Sequence, residues 1–203
     1  MDRLCPVRTT ALRPRLLRRC LRTLFRLSLA VWCWAAAGAW AGAPLLLPAD
    51  AAGPIDAWPA VRVLGNPGGM LDAEGALRRL AQFEAPDGPH ANLGPRRDVV
   101  WVQVPLQAIG GDGRWLLHID YPPLNRVDLV LLRGGQVVAR HLLGNAIANA
   151  DRPMRSRGHA VELQLQPDVP HLLLLRVATQ SAVLLPITLS RPADYHAREA
   201  GAQ

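Results

Sequence analysis

His118 and Asp120 stand two apart. On a strand that spacing sends both side chains to one face, where an imidazole and a carboxylate could share a metal ion or pass a proton. The sequence supplies no third ligand for them, so a polar pair at the wet edge of a sheet explains them as well, and no metal is expected. Farther on, Arg152, Arg155, Arg157 and His159 crowd a loop that enters a strand. Forked guanidinium donors suit an anionic or hydroxyl-rich ligand. Arg152, followed by Pro153, reads as a pin for its loop, while Arg155 and Arg157 are ligand candidates, as is Asn145 just upstream. Trp101, Trp115 and Tyr121 offer ring faces on which a sugar could stack. Trp115 lies in phase with Leu117 and Ile119 and belongs to the core. Trp101 lies out of phase with Val100 and Val102, which makes it the better binding candidate. Tyr121 precedes Pro122-Pro123 and falls at a loop, where binding residues concentrate.

Nothing in the chain reads as catalytic machinery. There is no G-x-S-x-G, and Ser156, Ser181 and Ser190 stand in no catalytic setting. There is no H-E-x-x-H, and Glu162 and Asp168 cannot be paired as catalytic carboxylates from sequence. Gly65-Asn66-Pro67-Gly68-Gly69 precedes only a weak helix and reads as a turn, not a phosphate cradle. No catalytic residue and no cofactor is expected.

The elements that must position the candidate residues are mostly short strands. Val100, Val102, Val104 and Leu106 alternate with Trp101 and Gln103, and Pro105 calls for an edge or a strand end. Trp115–Ile119, Val127–Leu132 and Val161–Gln166 alternate in the same way, with one wet face on the last. His171–Val177 and Val183–Leu189 are continuously apolar and read as strands covered on both faces. Gln136–Leu143 is a further strand and Ala60–Leu64 another. Turns stand between them at Gly110-Gly111-Asp112-Gly113, Pro122-Pro123, Gly134-Gly135, Gln166-Pro167-Asp168 and Arg191-Pro192. Close, regular spacing of short strands means a sandwich or barrel. One short helix is predicted over Asp72–Ala81, capped by Asp72, with Leu71, Leu77 and Leu80 toward the sheet.

The formal charge of +7 belongs to the beginning of the chain. Residues 1–43 hold eight of the 23 basic residues, all arginine, against the single acid Asp2, and the remainder is balanced. A nucleic-acid partner is therefore not indicated, despite the basic total. The order is basic residues to Arg26, an apolar run from Leu27, then small residues with Ala39-Trp40-Ala41 as a cleavage site, which is the order of an export signal. Retention as an anchor is the alternative, because Leu27 to Leu47 is uncharged. All three cysteines, Cys5, Cys20 and Cys33, lie in this stretch. The rest has no disulfide, no thiol nucleophile and no cysteine-based zinc site, and its core alone must hold it together. The division expected is a signal peptide or anchor over 1–43, a linker over 44–57, one domain over 58–195 and a tail over 196–203.

The order of features in that domain resembles a known family. A strand at Val61-Arg62-Val63-Leu64 and a helix from Leu71 to Phe83 come first, then Asn92-Leu93-Gly94 ahead of Val100-Trp101-Val102. Next is Trp115-Leu116-Leu117-His118-Ile119-Asp120-Tyr121-Pro122-Pro123-Leu124-Asn125-Arg126-Val127-Asp128-Leu129. Gly144-Asn145, Arg152-Pro153, Arg157 and His159 follow, and Leu173–Thr179 and Leu185–Leu189 close the series. This is similar to the periplasmic sensor domain, second type, of bacterial seven-transmembrane receptors with diverse intracellular signalling modules. The resemblance implies an all-β, jelly-roll-like sandwich related to carbohydrate-binding modules. It implies a periplasmic domain that senses a small-molecule ligand, with carbohydrate the expected class. Candidate contacts are Trp101, Tyr121, Asn145, Arg155 and Arg157. Asn145 stands where the family has aspartate, and Gln103 where it has a basic residue. After Tyr195 no apolar run of membrane-span length follows. A stand-alone envelope module that docks a protein partner or a second copy through an edge strand is the alternative.

Overall fold

The structure, a computed structural model, describes residues 43–201 apart from Pro89, Arg97 and Asn149. The expected signal or anchor, but for Ala43, lies outside the described residues. Among those described, no helix is long and apolar enough to cross a membrane.

Two sheets pack face to face, as the strand spacing predicts. The larger runs in the order β1 (Leu45–Pro48), β5 (Val99–Ile109), β10 (Pro170–Ala178), β7 (Arg126–Arg133), β8 (Gln136–Leu143), with β3 (Arg62–Asn66) also on β5. The smaller runs β2 (Ile55–Asp56), β12 (Ile187–Ser190), β6 (Arg114–Ile119), β9 (His159–Gln164). A ribbon of β4 (Asn92–Pro95) and β11 (Ala182–Leu184) pairs with neither sheet but packs Val183 and Leu93 on the main core. Period-two alternation fills the space between the sheets. Val100, Val102, Val104 and Leu106 of β5 meet Trp115, Leu117 and Ile119 of β6 in one core, joined by Leu129, Val161, Leu173 and Ile187. Each such side chain contributes about 1.5–3 kcal/mol by leaving water.

The larger sheet is covered on its outer face as well, which is why β5, β7 and β10 read as nearly continuous apolar runs. Trp101, Val130, Leu132, Leu172 and Leu174 form a second core beneath residues 64–83, with Ala76 and Phe83. This corrects the expectation for Trp101. It does face away from Val100 and Val102, but it is 1% exposed and its indole Nε1 donates to the Leu71 carbonyl at 3.2 Å. It is core, not a ligand platform.

Pro105 also departs from expectation, since it lies inside an inner strand. On one side of β5, β3 pairs with Val99 to Gln103 and β1 with Leu106 to Ile109. The changeover falls at Val104 and Pro105, so the missing N–H sits where the sheet on that side is interrupted. Residues 44–57, expected as a linker, supply β1 and β2, and Leu47 is fully buried. The predicted helix is shorter than expected. Asp72 caps it, its Oδ1 accepting from the Gly75 N–H at 2.7 Å, but α1 (Ala73–Leu77) gives way to a 3-10 turn at Leu80–Gln82. The expected tail is helical instead: α2 (Pro192–Gly201) starts on a proline, which suits a first turn, and lays Tyr195 on Leu116 and Ala160 of the smaller sheet.

Gly144 closes β8 at φ 131°. A Cβ there would collide with the Asn125 carbonyl oxygen and sit 2.8 Å from Arg126 Cα. Gly144→Ala is expected to destabilise the domain by about 2 kcal/mol or more in urea unfolding. Gly134→Ala, also at positive φ but with nothing within 4 Å, is expected to cost about 1 kcal/mol. Equal losses would refute the packing argument.

Candidate functional site

One end of the sandwich gathers four loops. The β6–β7 connection and the start of the β8–β9 loop are zipped by backbone, Asn145 N–H to Leu124 O at 2.9 Å and Ala146 N–H to Asn125 O at 3.1 Å. The glycine at 144 permits that approach. Asn125 then holds three segments at once. Its Nδ2 donates to Asn145 Oδ1 at 3.0 Å, and its Oδ1 accepts from the Gln180 N–H at 2.8 Å and from Thr179 Oγ1 at 3.1 Å. Beside it Asp128 takes the fork of Arg126 and a further bond from Arg176 at 3.4 Å, and Arg176 reaches on to the Gly69 carbonyl at 3.1 Å. The Asp128 carboxylate raises the Arg126 pKa.

Two cavities open here, one on each side of the β8–β9 loop. The first, about 480 Å³, is lined by Asp98, Asn125, Arg126, Ala146, Thr179 and Gln180 among others. The second, about 690 Å³, is lined among the described residues by Ala150, Arg152, Arg155 and Ser156. Arg152 pins the loop between them as expected, its Nε donating to the Ile147 carbonyl at 3.1 Å and its Nη2 to the Asn145 carbonyl at 3.5 Å.

Ser156 connects the second cavity to the outer face of the smaller sheet. Its Oγ accepts from the Tyr195 hydroxyl at 2.8 Å and from the Gly158 N–H at 3.2 Å, and lies 3.5 Å from His118 Nε2. The Tyr195 and His118 rings meet edge-on with centroids 5.3 Å apart. His118 and Asp120 do lie on one side of the sheet, but Asp120 is exposed and makes no hydrogen bond to the imidazole. Among the described residues no group of three or more metal-ligating side chains comes together.

The remaining candidates divide. Arg155 lines the second cavity, while Arg157 is exposed nearby without lining it. Asn145 is exposed and bonded to Asn125, which lines the first. Tyr121 is half-buried against the main core and lines neither. Sequence spacing does not single out Tyr195, Asn125 or Thr179 as site residues, and it gives Ser156 no catalytic setting. The available signals were Ser156 between two arginines and a tyrosine one turn after Pro192.

Burial holds His118, His141, His159 and His171 below the usual histidine value of 6.5. Asp120 and Glu199 oppose the effect at His118, whereas the Arg152 charge reinforces it at His159. His171 is fixed in its neutral form by both nitrogens: Nδ1–H donates to the Val169 carbonyl at 2.8 Å and Nε2 accepts from the Gln166 N–H at 3.3 Å. Because the folded values are depressed, the unfolded chain takes up protons first on acidification. Stability is therefore full above pH 6.5 and is lost as pH falls below it, until the folded histidines protonate too. Thermal unfolding is expected to show Tm falling between about pH 7 and pH 5; a rise over that window would contradict this assignment.

No curated protein matches the chain. The family described as 7TMR-DISM extracellular 2 has a model that matches residues 59–191. The matched span starts ahead of β3, ends just past β12 and takes in the loops that form both cavities, so the chain belongs to the 7TMR-DISM extracellular 2 family of extracellular receptor domains.

Proposed function

We propose that this chain is the ligand-recognising part of a receptor, acting outside the cytoplasm by binding and not by chemistry. The small-molecule ligand occupies the loop end of the sandwich, and its presence is passed to α2. Family membership supports the sensor role, and the basic-then-apolar order of residues 1–43 supports export. The observation that carries the reading is the Tyr195 hydroxyl bonded to Ser156 at 2.8 Å. Through it, the wall of the 690 Å³ cavity and the last described helix share one hydrogen bond. A ligand that prefers one placement of the β8–β9 loop then biases the docking of α2, which is all that a population shift requires.

Carbohydrate, the class the resemblance implied, loses its candidate stacking ring with Trp101 buried. What remains for hydroxyl groups is the amide and hydroxyl lining of the 480 Å³ cavity, with Asn125, Thr179 and Gln180. Hydrogen exchange on the domain with and without candidate small molecules tests the reading. A ligand is expected to slow exchange both in residues 144–158 and in α2, and Tyr195→Phe to keep the loop effect while shrinking that in α2 by half or more. Exchange unaltered in both segments by neutral sugars, sugar acids, amino acids and phosphate would sink it.

A second reading, docking of a second copy, has one specific observation behind it. β8 ends the larger sheet and exposes Val137 and Val138, each 41% accessible, an edge suited to strand addition. Sedimentation equilibrium is expected to show a dimer that Val138→Lys dissociates if this reading holds; a monomer at high micromolar concentration removes it.

A further inference from the structure

We infer that the cavity under the second half of the β8–β9 loop is an oxyanion site, whose ligand carries a carboxylate or phosphate group held by Arg155, with Arg152 and Ser156 on the walls. This rests on the sensing role proposed above and gives it a ligand chemistry.

The charge pattern is the first ground. Arg78, Arg96, Arg114, Arg126, Arg176 and Arg191 each have a carboxylate within 4.0 Å. Among the described residues Arg152, Arg155 and Arg157 make no such pair; nor do Arg62, Arg79, Arg133, Arg140 and Arg198, but those are dispersed along the chain, whereas these three share one loop with the single acid Asp151. Three guanidinium groups within six residues repel one another, and a chain that keeps them without counter-charge leaves a positive concavity. That charge reaches inward, since Arg152 is one cause of the depressed His159 pKa.

Geometry is the second ground. Arg152 spends Nε and Nη2 on loop carbonyls, which fixes its guanidinium and leaves Nη1 without a hydrogen-bond partner among the described residues. Arg155 makes no hydrogen bond among the described residues and lines the same cavity. A fixed cation, an exposed forked donor and the Ser156 hydroxyl then line space enough for a monosaccharide-sized acid. A carboxylate or phosphate accepts bidentate bonds from Arg, which a neutral hydroxyl cannot match. His159, at the strand end that this loop enters, has a buried Nε2 without a hydrogen-bond partner among the described residues.

Titration of the folded domain with galacturonate, with inorganic phosphate and with neutral galactose, followed by backbone amide NMR, tests the inference. Galacturonate or phosphate is expected to shift amides of residues 150–158 at millimolar concentration, with binding weakened by added NaCl. Binding of galacturonate alone identifies a carboxylate ligand, and of phosphate alone a phosphorylated one. Arg155→Gln is expected to weaken binding about tenfold or more, and Arg155→Lys to recover part of it. Arg155 is exposed, so an unchanged Tm shows that both variants fold. If galactose binds and neither anion does, the oxyanion site is wrong and the sensing role survives. Anion binding that Arg155→Gln leaves intact also overturns the site. If none of the three shifts an amide, the oxyanion site is likewise overturned, and the wider ligand panel then decides the sensing role by itself.

Discussion

Double-sided burial of β5, β7 and β10 is the constraint on which the rest of the domain depends. One face of these strands builds the core between the sheets, and the other carries Trp101, Val130, Leu132, Leu172 and Leu174. A sheet that is apolar on both sides cannot leave either wet. The chain answers by spending residues 64–83 as a cover, anchored by the Asp72 cap, the Trp101 indole on the Leu71 carbonyl and Arg176 Nη2 on the Gly69 carbonyl. The smaller sheet has the same need on a lesser scale. Leu116 and Ala160 face outward, and Tyr195 of α2 with Met154 of the β8–β9 loop covers them. Helix and loop are thus brought together by an apolar requirement before any polar contact between them counts.

Much of this was legible in the chain. Alternation in phase with Trp115, Leu117 and Ile119 predicts the inner face correctly, and the continuous run Leu172–Leu175 predicts a strand covered twice. The same logic misplaces Trp101, because phase tells which residues lie on the opposite face but not whether another segment covers that face. Leu45-Leu46-Leu47 was indistinguishable from a linker, since a four-residue strand needs a partner sixty residues away to become one. The helix that ends the domain carries little local signal for a related reason. Pro192–Gly201 has a modest apolar content and is helical on the strength of tertiary docking by Tyr195.

The site was legible only in part. Arginines in a loop were visible as a cluster, and Arg152 was separable from its neighbours by the proline beside it. What no spacing could show is that Ser156 meets a tyrosine 39 residues on and a histidine 38 residues back. Nor could it show that Asn125 is the hub of the loop end, because its partners Asn145, Thr179 and Gln180 come from two other connections. Long-range polar contacts of this kind are decided by how the sheets stack, and sequence periodicity reports the stacking only after the fold is known.

The Ser156 hydroxyl shows how these levels combine. It has one proton to give and two lone pairs to offer. Tyr195 and Gly158 donate to it at 2.8 and 3.2 Å, so both lone pairs are engaged and its own proton is directed at His118 Nε2. That last contact is long, 3.5 Å, near the limit at which a hydrogen bond keeps value. Burial keeps the imidazole neutral and able to accept, but a neutral acceptor at that distance holds the proton weakly. An oxyanion in the adjoining cavity would be the stronger acceptor, because charge-assisted bonds are shorter and about twice as strong. Turning the proton toward it leaves the Tyr195 bond formally intact yet polarises it, since a hydroxyl that donates more strongly also accepts more strongly. The contact that ties α2 to the β8–β9 loop would therefore tighten when the cavity fills. The weak member of the network is the His118 contact, and a weak member beside a cavity is what would let a ligand bound there be felt.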